Sequence, residues 1–324
     1  MKAKRQWKRA AGILIASLLL LGACAVPGPP VPADRHRLTV VAADDAAGIP
    51  AFVIADAQQS CNRIGTPRAR KTGDGKVDVW VAPDRPTIYS RTERFETPKG
   101  AYTNLICRVH FSETPAGHIT MGKNVGLIAV VTFDSRGLPI LYTTLHTCGC
   151  YLAFVPTAYL PAAALPDGWD KGRQTVYSEN LPGLLDFQGD APGSNRVMIL
   201  LKSGSHRVED IRLADAASPL PEPVKTADVL PLASLDRLPL ENGGTTSFFE
   251  TRGCRKGYVK GSEKIWERLL ISWWALDWRV GEDKRLAGRG EAGPVFYTSL
   301  MPWDRKASDM RHFAAFLTYW GWRL

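Results

Sequence analysis

The chain has few of the residues and motifs that mark a dedicated chemical centre. It holds six cysteines and six histidines among 324 residues, and they form neither a C-x-x-C-H haem attachment nor an H-E-x-x-H zinc motif. A Walker phosphate loop and a G-x-S-x-G nucleophile elbow are also missing. The sequence therefore gives no motif support for c-type haem proteins, zinc proteases, P-loop enzymes or α/β-hydrolases.

The amino-terminal segment lacks acidic residues and is too short to span a membrane. Its first nine residues, MKAKRQWKR, carry five bases. The uncharged stretch that follows, residues 10–23, is shorter than the ~20 apolar residues that a spanning helix needs. A basic region followed by a short apolar region is typical of an export signal. Because the segment has no Arg-Arg pair, general secretion is favoured over the twin-arginine route.

Leu21-Gly22-Ala23-Cys24 ends this segment and resembles the lipobox of bacterial lipoproteins. The resemblance covers only the first 24 residues. It implies that the Cys24 thiol receives a diacylglyceryl group, that cleavage follows Ala23, and that the new amino group is acylated. The alternative is an ordinary secretory signal in which Cys24 is incidental.

A lipidated Cys24 predicts where the mature protein lies. Two or three acyl chains on one residue hold a protein on a bilayer stably. Ala25, in place of Asp, resembles the sorting pattern of outer-membrane lipoproteins. We therefore expect a lipid-anchored protein of the bacterial cell envelope, on the periplasmic side of the outer membrane.

The charge balance gives no reason to expect nucleic-acid binding. The full chain has 41 basic and 32 acidic residues, and five of the bases lie in the expected signal. The mature chain would then carry 36 bases against 32 acids, a net charge of +4 over 301 residues. Such a weak excess is not the electrostatic footprint of a nucleic-acid-binding protein.

The residue pattern predicts an α+β protein. A mostly antiparallel β-rich region at residues 37–213 follows the lipidated Cys and Pro-rich tether of residues 24–36. Residues 214–244 form a second Pro-rich segment, interpreted as an interdomain linker or a long surface loop. Residues 245–324 form a Trp-rich C-terminal region with two helices. This region either stands apart or packs with the β-rich region as one domain.

Alternation of apolar and polar residues predicts the individual strands. The clearest element is a β-hairpin of residues 125–133 and 138–147, which a polar turn containing Gly137 joins. Further strands are predicted at residues 76–81, 105–111, 196–202, 206–213 and 295–300.

Two helices are predicted in the C-terminal region. One covers residues 263–280, with Ser262 as N-cap and Gly281 after its end. The other covers residues 309–320, where apolar residues recur at helical spacing. Tryptophan and leucine occupy much of the circumference of the first helix, which favours packing in the core. The alternative is a surface on the membrane interface or on a partner, where indole rings are favoured.

His146, Cys148 and Cys150 are candidate metal ligands. Alternate residues of a strand point to the same side, but residues four apart lie ~13 Å apart on a straight strand. The chain must therefore turn at Gly149 for all three side chains to bind one ion. Zinc or copper would suit such nitrogen and sulfur ligands, with His110 or His118 as a fourth ligand. Haem is a further candidate cofactor.

Disulfide formation competes with metal binding. Five cysteines remain besides Cys24, and an oxidising periplasm favours disulfides. Cys148 and Cys150 either pair with each other, which also requires a turn at Gly149, or pair with other cysteines. A further alternative treats the thiols as small buried apolar groups. The other candidate partners are Cys61, Cys107 and Cys254.

Three functions remain open from the sequence. The first is a non-enzymatic envelope lipoprotein that contacts the bilayer through Cys24 and binds or assembles with an envelope partner. The second is a metal- or haem-binding redox lipoprotein that uses His146, Cys148 and Cys150. The third is a hydrolase of unknown substrate, for which only residue types offer support. Those residues are Ser205, His206 and Asp210.

Overall fold

The computed structural model describes residues 38–44, 48–187, 196–214, 219–241, 243–288 and 290–324. The expected signal, the lipobox with Cys24 and the Pro-rich tether lie outside the described residues. No helix in the described part of the chain is both long and apolar enough to span a membrane.

The described residues form many short strands and two α-helices. The helices are α1 (Ile265–Ala275) and α2 (Phe313–Tyr319). Short 3₁₀ turns occur at Ser60–Asn62, Ala162–Ala164, Leu232–Asp236, Gly253–Arg255, Pro302–Asp304 and Met310–His312. The strands are β1 (Thr39–Ala42), β2 (Ala51–Ile54), β3 (Thr66–Lys71), β4 (Val77–Ala82), β5 (Thr87–Thr97), β6 (Gly100–His110), β7 (Glu113–Thr114), β8 (Gly122–Lys123), β9 (Gly126–Phe133), β10 (Pro139–His146), β11 (Ala153–Pro156), β12 (Arg173–Val176), β13 (Glu179–Pro182), β14 (Arg196–Leu201), β15 (Val208–Ala214), β16 (Val224–Thr226), β17 (Asp228–Pro231), β18 (Leu238–Pro239) and β19 (Thr245–Thr246).

Two large sheets organise the molecule. One has the strand order β15-β14-β2-β1-β16, and the other has the order β11-β10-β9-β6-β5-β17. Most neighbours are antiparallel, but β1 with β16, β2 with β14 and β5 with β17 are parallel pairs. The described residues thus form an α+β fold that is mostly strand, with two short C-terminal helices. The large sheets are mixed rather than purely antiparallel.

The six-stranded sheet is buried on both faces. Leu127 of β9 packs in one core with Phe52 of the five-stranded sheet. The next residue, Ile128, points to the opposite face and shares a second core with Phe316 of α2. A strand that is buried on both faces is apolar at nearly every position, which explains the continuous apolar sequence of β9.

The predicted β-hairpin is confirmed. β9 and β10 pair antiparallel, with Phe133 opposite Pro139 at the turn end and Leu127 opposite His146 at the other end. The strands predicted at residues 76–81, 105–111, 196–202 and 206–213 are also present, as β4, β6, β14 and β15, with shifts of a few residues at most of their ends.

The strand predicted at residues 295–300 is wrong. Only an isolated bridge between Tyr297 and Asp309 forms there. Side chains accept the backbone N–H groups in place of a neighbouring strand. The N–H of Phe296 donates to the Asp309 carboxylate over 3.0 Å, and the N–H of Ser299 donates to the Ser308 hydroxyl over 3.1 Å. Local polar side chains therefore compete successfully with sheet pairing.

Both predicted helices exist but are shorter than expected. α1 ends at Ala275 because Leu276 takes a left-handed conformation, and Lys264 rather than Ser262 occupies the N-cap position. The Asp277 carboxylate then accepts the N–H of Arg279 over 2.9 Å, which supports a turn where helix was expected. The helix predicted over residues 309–320 consists of a 3₁₀ turn followed by α2.

Part of the second Pro-rich segment joins the large sheets. β16 pairs parallel with β1, and β17 pairs parallel with β5. Residues 224–231 thus contribute one edge strand to each sheet. Both strands are largely exposed. Their Pro-rich sequence therefore gives no alternating pattern of apolar and polar residues from which strands could be predicted.

Candidate functional site

A tight turn follows the end of β10 and precedes β11. The N–H of Gly149 donates to the carbonyl of His146, and the N–H of His146 donates to the carbonyl of Cys150, each over 2.9 Å. Gly149 has a φ of +97°, which favours glycine because it has no Cβ. The turn that either a disulfide or a shared metal ion requires is therefore present.

Cys148 and Cys150 form a disulfide across this turn. Their Cα atoms lie 5.7 Å apart, which is the usual separation for a bridged pair. Cys148 is 3% exposed, whereas Cys150 is partly exposed. Of the pairings that the sequence leaves open, the structure has the direct one, between Cys148 and Cys150. The other described cysteines are free thiols, namely Cys61, Cys107 and Cys254.

His146 lies beside the disulfide, with one ring nitrogen and the two sulfurs all within 4.8 Å of one another. Burial, assisted by the charge of Lys264, lowers the pKa of His146 well below its ordinary value, so the ring is neutral near pH 7. Its Nε2 lies 3.1 Å from the carbonyl oxygen of His206. Because a carbonyl oxygen only accepts, Nε2 carries the proton and Nδ1 keeps a lone pair.

His110 does not join this cluster. Nε of Arg108 donates to Nε2 of His110 over 2.9 Å, and Nδ1 of His110 lies 3.3 Å from the carbonyl of Val125. Both ring nitrogens are therefore engaged, and the ring packs edge-on against Phe248. Of the predicted metal ligands, the structure brings together His146, Cys148 and Cys150 and leaves His110 apart.

The metal hypothesis stays a prediction that requires a change of redox state. Thiolates, not disulfide sulfurs, are the ligands that cysteines offer to zinc or copper. In the disulfide form, His146 alone offers a lone pair of the usual ligand type. A metal ion would therefore need the reduced form of Cys148 and Cys150.

A buried lysine donates a hydrogen bond to the backbone of the turn. Nζ of Lys284 donates to the carbonyl of Cys148 over 2.7 Å and lies 4.4 Å from the ring centre of Tyr297. Nη1 of Arg108 in turn donates to the carbonyl of Lys284 over 2.7 Å. Burial lowers the pKa of Lys284 to about 8 and that of Arg108 to about 9. Two cations are thus held without direct contact to water.

A second lysine nearby has a carboxylate partner. Nζ of Lys264 lies 3.4 Å from the Asp283 carboxylate, which also accepts the Thr147 hydroxyl. Burial is the largest single influence and lowers the pKa of Lys264. The charges of Asp283 and Glu267, together with a hydrogen bond to Asp283, outweigh it, so the pKa of Lys264 is raised. Burial raises the pKa of the adjacent Glu267. We refer to these groups as the buried charge cluster: Arg108, Lys264, Lys284, Asp283 and Glu267.

The buried charge cluster was not found by sequence reasoning. Asp283 and Lys284 lie in a run of charged residues, Glu-Asp-Lys-Arg, that is typical of an exposed loop. Charged side chains are almost never fully buried unless they are paired. The pairing here joins segments far apart in sequence, so no local signal marks it.

The hydrolase hypothesis finds no support at Ser205, His206 and Asp210. Nε2 of His206 lies 3.0 Å from the carbonyl of Cys61, and its ring stacks on Phe111. The Ser205 hydroxyl and Nδ1 of His206 are both buried without a hydrogen-bond partner. A serine nucleophile activated by this histidine would require a hydrogen bond between the serine hydroxyl and the histidine ring.

A cavity of about 400 Å³ lies between β3, β17 and the 3₁₀ turn Leu232–Asp236. Tyr89 and Leu240 contribute to its lining, together with Arg68 at the surface. The volume is in the range of small-molecule sites. The lining holds no pair of groups arranged for acid–base or nucleophilic chemistry, so we assign it no activity.

The expectation that α1 packs its apolar side in the core is wrong. Trp273 is 62% exposed and Leu269 is 60% exposed, whereas Glu267 is 6% exposed. At about 100° per residue, the exposed apolar residues share one side of the helix. We call this side the tryptophan face: Ile265, Trp266, Leu269, Trp273 and Leu276.

Two more exposed tryptophans lie near the end of α1. Trp278 follows α1 by three residues and is 64% exposed, and Trp303 is 76% exposed. Arg305 donates to the carbonyls of Ala275 and Leu276, which places the Trp303 segment at the end of α1. Exposed apolar side chains concentrated in this way mark sites of interaction in soluble proteins.

No family model, curated protein or solved structure matches this chain. The functional argument therefore depends on two features of the molecule itself. These are the tryptophan face and the Cys148–Cys150 turn with the buried charge cluster.

Proposed function

We propose that the protein is a lipid-anchored envelope protein that lies against the bilayer through its tryptophan face and acts as a binding or assembly protein there. The observation that supports the proposal most is the outward orientation of α1. Glu267 of this helix is buried, while Trp266 and Trp273 are exposed. Such an arrangement leaves a large apolar area in water unless another surface covers it.

The chemistry of the tryptophan face favours a lipid interface. Indole rings have an apolar body and a polar N–H, and they are enriched where hydrocarbon meets water. Aliphatic neighbours such as Leu269 and Ile265 would reach further toward the acyl chains. Lys306 is exposed and follows Arg305, which is hydrogen-bonded to the end of α1, so its ammonium group suits anionic headgroups.

The predicted anchor makes a bilayer the nearest large apolar surface. The chain from Cys24 to Leu38 spans at most about 50 Å when fully extended. A folded body of this size has a diameter of about 50 Å. A tether of that length keeps the body close to the membrane and still lets α1 turn toward it. Contact of the tryptophan face with the bilayer would be a second attachment, besides the lipid anchor, and would fix the orientation of the folded body.

Lipid contact can be measured on the lipidated protein in vesicles of phosphatidylethanolamine and phosphatidylglycerol. Brominated acyl chains quench tryptophan fluorescence at short range. We expect clear quenching of the wild type, and loss of more than half of it in the double variant Leu269→Glu, Trp273→Glu. Both positions are exposed, so the substitutions leave the fold intact.

Two variants serve as controls. Val229→Glu places one such negative charge at an exposed apolar position of β17, and Trp169→Phe removes an indole that packs on Trp322. Both should retain the quenching of the wild type. Unquenched wild-type fluorescence would refute the proposal. So would a dimer in detergent that the double variant abolishes without any lipid quenching, because a second copy would then cover the face.

A further inference from the structure

The two sulfurs of the Cys148–Cys150 disulfide differ in access. Cys148 is buried at 3% exposure, and Cys150, next in the turn after Gly149, is partly exposed. An attacking thiolate from another molecule therefore reaches the sulfur of Cys150. Attack at that sulfur makes Cys148 the leaving group.

The surroundings hold the two cysteines together after the disulfide opens. The carbonyl of Cys148 is fixed by Lys284 at 2.7 Å, and the carbonyl of Cys150 is fixed by the N–H of His146 at 2.9 Å. A Cβ at Gly149 would overlap the carbonyl oxygen of Tyr297, so the turn packs tightly against the segment that contains Tyr297. A backbone held in this way keeps both sulfurs in position to close the disulfide again.

A buried ammonium group contacts the Cys148 end of the disulfide. Carboxylates accompany the buried lysines, because Asp283 and Glu267 act on both Lys264 and Lys284. Nζ of Lys284 donates to the carbonyl of the buried Cys148, and the charge of Lys264 acts on the neighbouring His146. Positive charge there stabilises the negative charge that develops on the Cys148 sulfur as it leaves.

We propose that Cys148 and Cys150 form a redox-active disulfide that exchanges with dithiols of partner polypeptides in the envelope. A thiolate of the partner attacks the sulfur of Cys150, the Cys148–Cys150 bond breaks, and its electron pair goes to the sulfur of Cys148. The partner's second thiolate then attacks the partner sulfur of the mixed disulfide and releases Cys150 as a thiolate. The partner leaves with a disulfide, and Cys148 and Cys150 take up the two protons it has lost.

This activity is separate from the proposed contact with lipid. It rests on export to an oxidising compartment, where a disulfide persists, but not on the tryptophan face. The test uses the lipidated protein in detergent, without a bilayer. Failure of membrane contact and failure of thiol exchange are therefore measured independently.

The first measurement is the response to glutathione. The protein is incubated in buffers of reduced and oxidised glutathione, free thiols are alkylated, and each cysteine is assigned by peptide mass spectrometry. Structural disulfides resist the glutathione pool. We expect Cys148 and Cys150 to become reduced in buffers that leave a structural disulfide closed.

Single variants test the direction of attack. In Cys148→Ser, Cys150 should accumulate as a stable mixed disulfide with glutathione. In Cys150→Ser, the buried Cys148 should form that adduct at least tenfold more slowly. Cys254→Ser removes the exposed free thiol and is the matched control, because exchange at the turn should be unchanged.

The role of charge is tested with Lys284→Met, which should slow reduction of the disulfide by at least tenfold. If that variant does not fold, the contrast between Cys148→Ser and Cys150→Ser still decides the proposal. A disulfide that stays closed in every glutathione buffer would overturn it, as would equal adducts on the two cysteines. One equivalent of zinc that binds the reduced protein, blocks exchange and is lost in His146→Ala would identify a metal site instead.

Discussion

The ammonium group of Lys284 donates a hydrogen bond to the carbonyl oxygen of Cys148, 136 residues earlier in the chain, over 2.7 Å. Lys284 is fully buried, and its charge faces the ring of Tyr297 on another side. This bond ties the segment after α1 to the turn that carries the disulfide. The stability of the turn therefore depends on charges in a distant part of the sequence.

The ion pair of Lys264 and Asp283 is expected to be a large contributor to stability. Lys264→Met would leave the Asp283 carboxylate buried without its cation, which costs about 3–5 kcal/mol. Urea unfolding measures this as a fall in the free energy of unfolding. The matched control is Lys76→Met, which breaks an exposed pair with Asp74 and should leave the free energy of unfolding nearly unchanged. Equal effects of the two substitutions would contradict a special role for the buried pair.

Gly149→Ala is expected to disrupt the turn. The substitution adds the strain of a positive φ, about 1–2 kcal/mol, and forces a Cβ against the carbonyl of Tyr297. Gly137→Ala is the control, because Gly137 has a φ of +80° but no neighbour within 4 Å of an added Cβ. We expect Gly149→Ala to lower the free energy of unfolding by at least about 2 kcal/mol more than Gly137→Ala. A smaller difference would show that the Tyr297 segment yields easily.

Mild acid is expected to destabilise the protein through its buried histidines. Burial lowers the pKa of His206 to about 3, and it lowers those of His110 and His146 well below their ordinary value of 6.5. The unfolded chain therefore binds protons below pH 6.5 that the native state does not bind. The free energy of unfolding falls as the pH drops through this range, by about 2 kcal/mol per histidine between about pH 7 and pH 5.

The variant His206→Asn tests this linkage. His206 has a φ of +54°, a conformation that Asn tolerates better than most residues. Urea unfolding at several pH values should give a shallower pH dependence for the variant, by about one proton. If the two proteins have the same pH dependence, His206 is not a source of the acid sensitivity.

Cys24→Ser is expected to abolish lipid attachment. The lipobox resemblance makes the Cys24 thiol the acceptor of the diacylglyceryl group, and serine offers no thiol. Incorporation of labelled palmitate should disappear, and mass spectrometry should find the first 23 residues still attached. Cys254→Ser should incorporate palmitate like the wild type. Labelling that persists in Cys24→Ser would remove the basis for the predicted anchor.

The sequence predicted those elements whose signal is local. The hairpin of β9 and β10 was found because both strands are apolar and a polar turn joins them. The turn at Gly149 was found because a shared site or a disulfide needs the chain to bend there. By contrast, the apolar run at residues 295–300 did not predict its structure, since Ser308 and Asp309 occupy its backbone groups.

The sequence by itself determined the export and lipidation signals that we predict, most of the strands, and the approximate positions of both helices. Only the tertiary structure decided that Lys264, Lys284 and Asp283 are buried together beside Cys148, and that α1 turns its tryptophans outward. The physical reason is that burial of a charge depends on partners from distant segments, whereas a strand or a turn depends on neighbours in the chain. The orientation of α1 follows the same principle, because its buried Glu267 lies among charges that the chain supplies elsewhere.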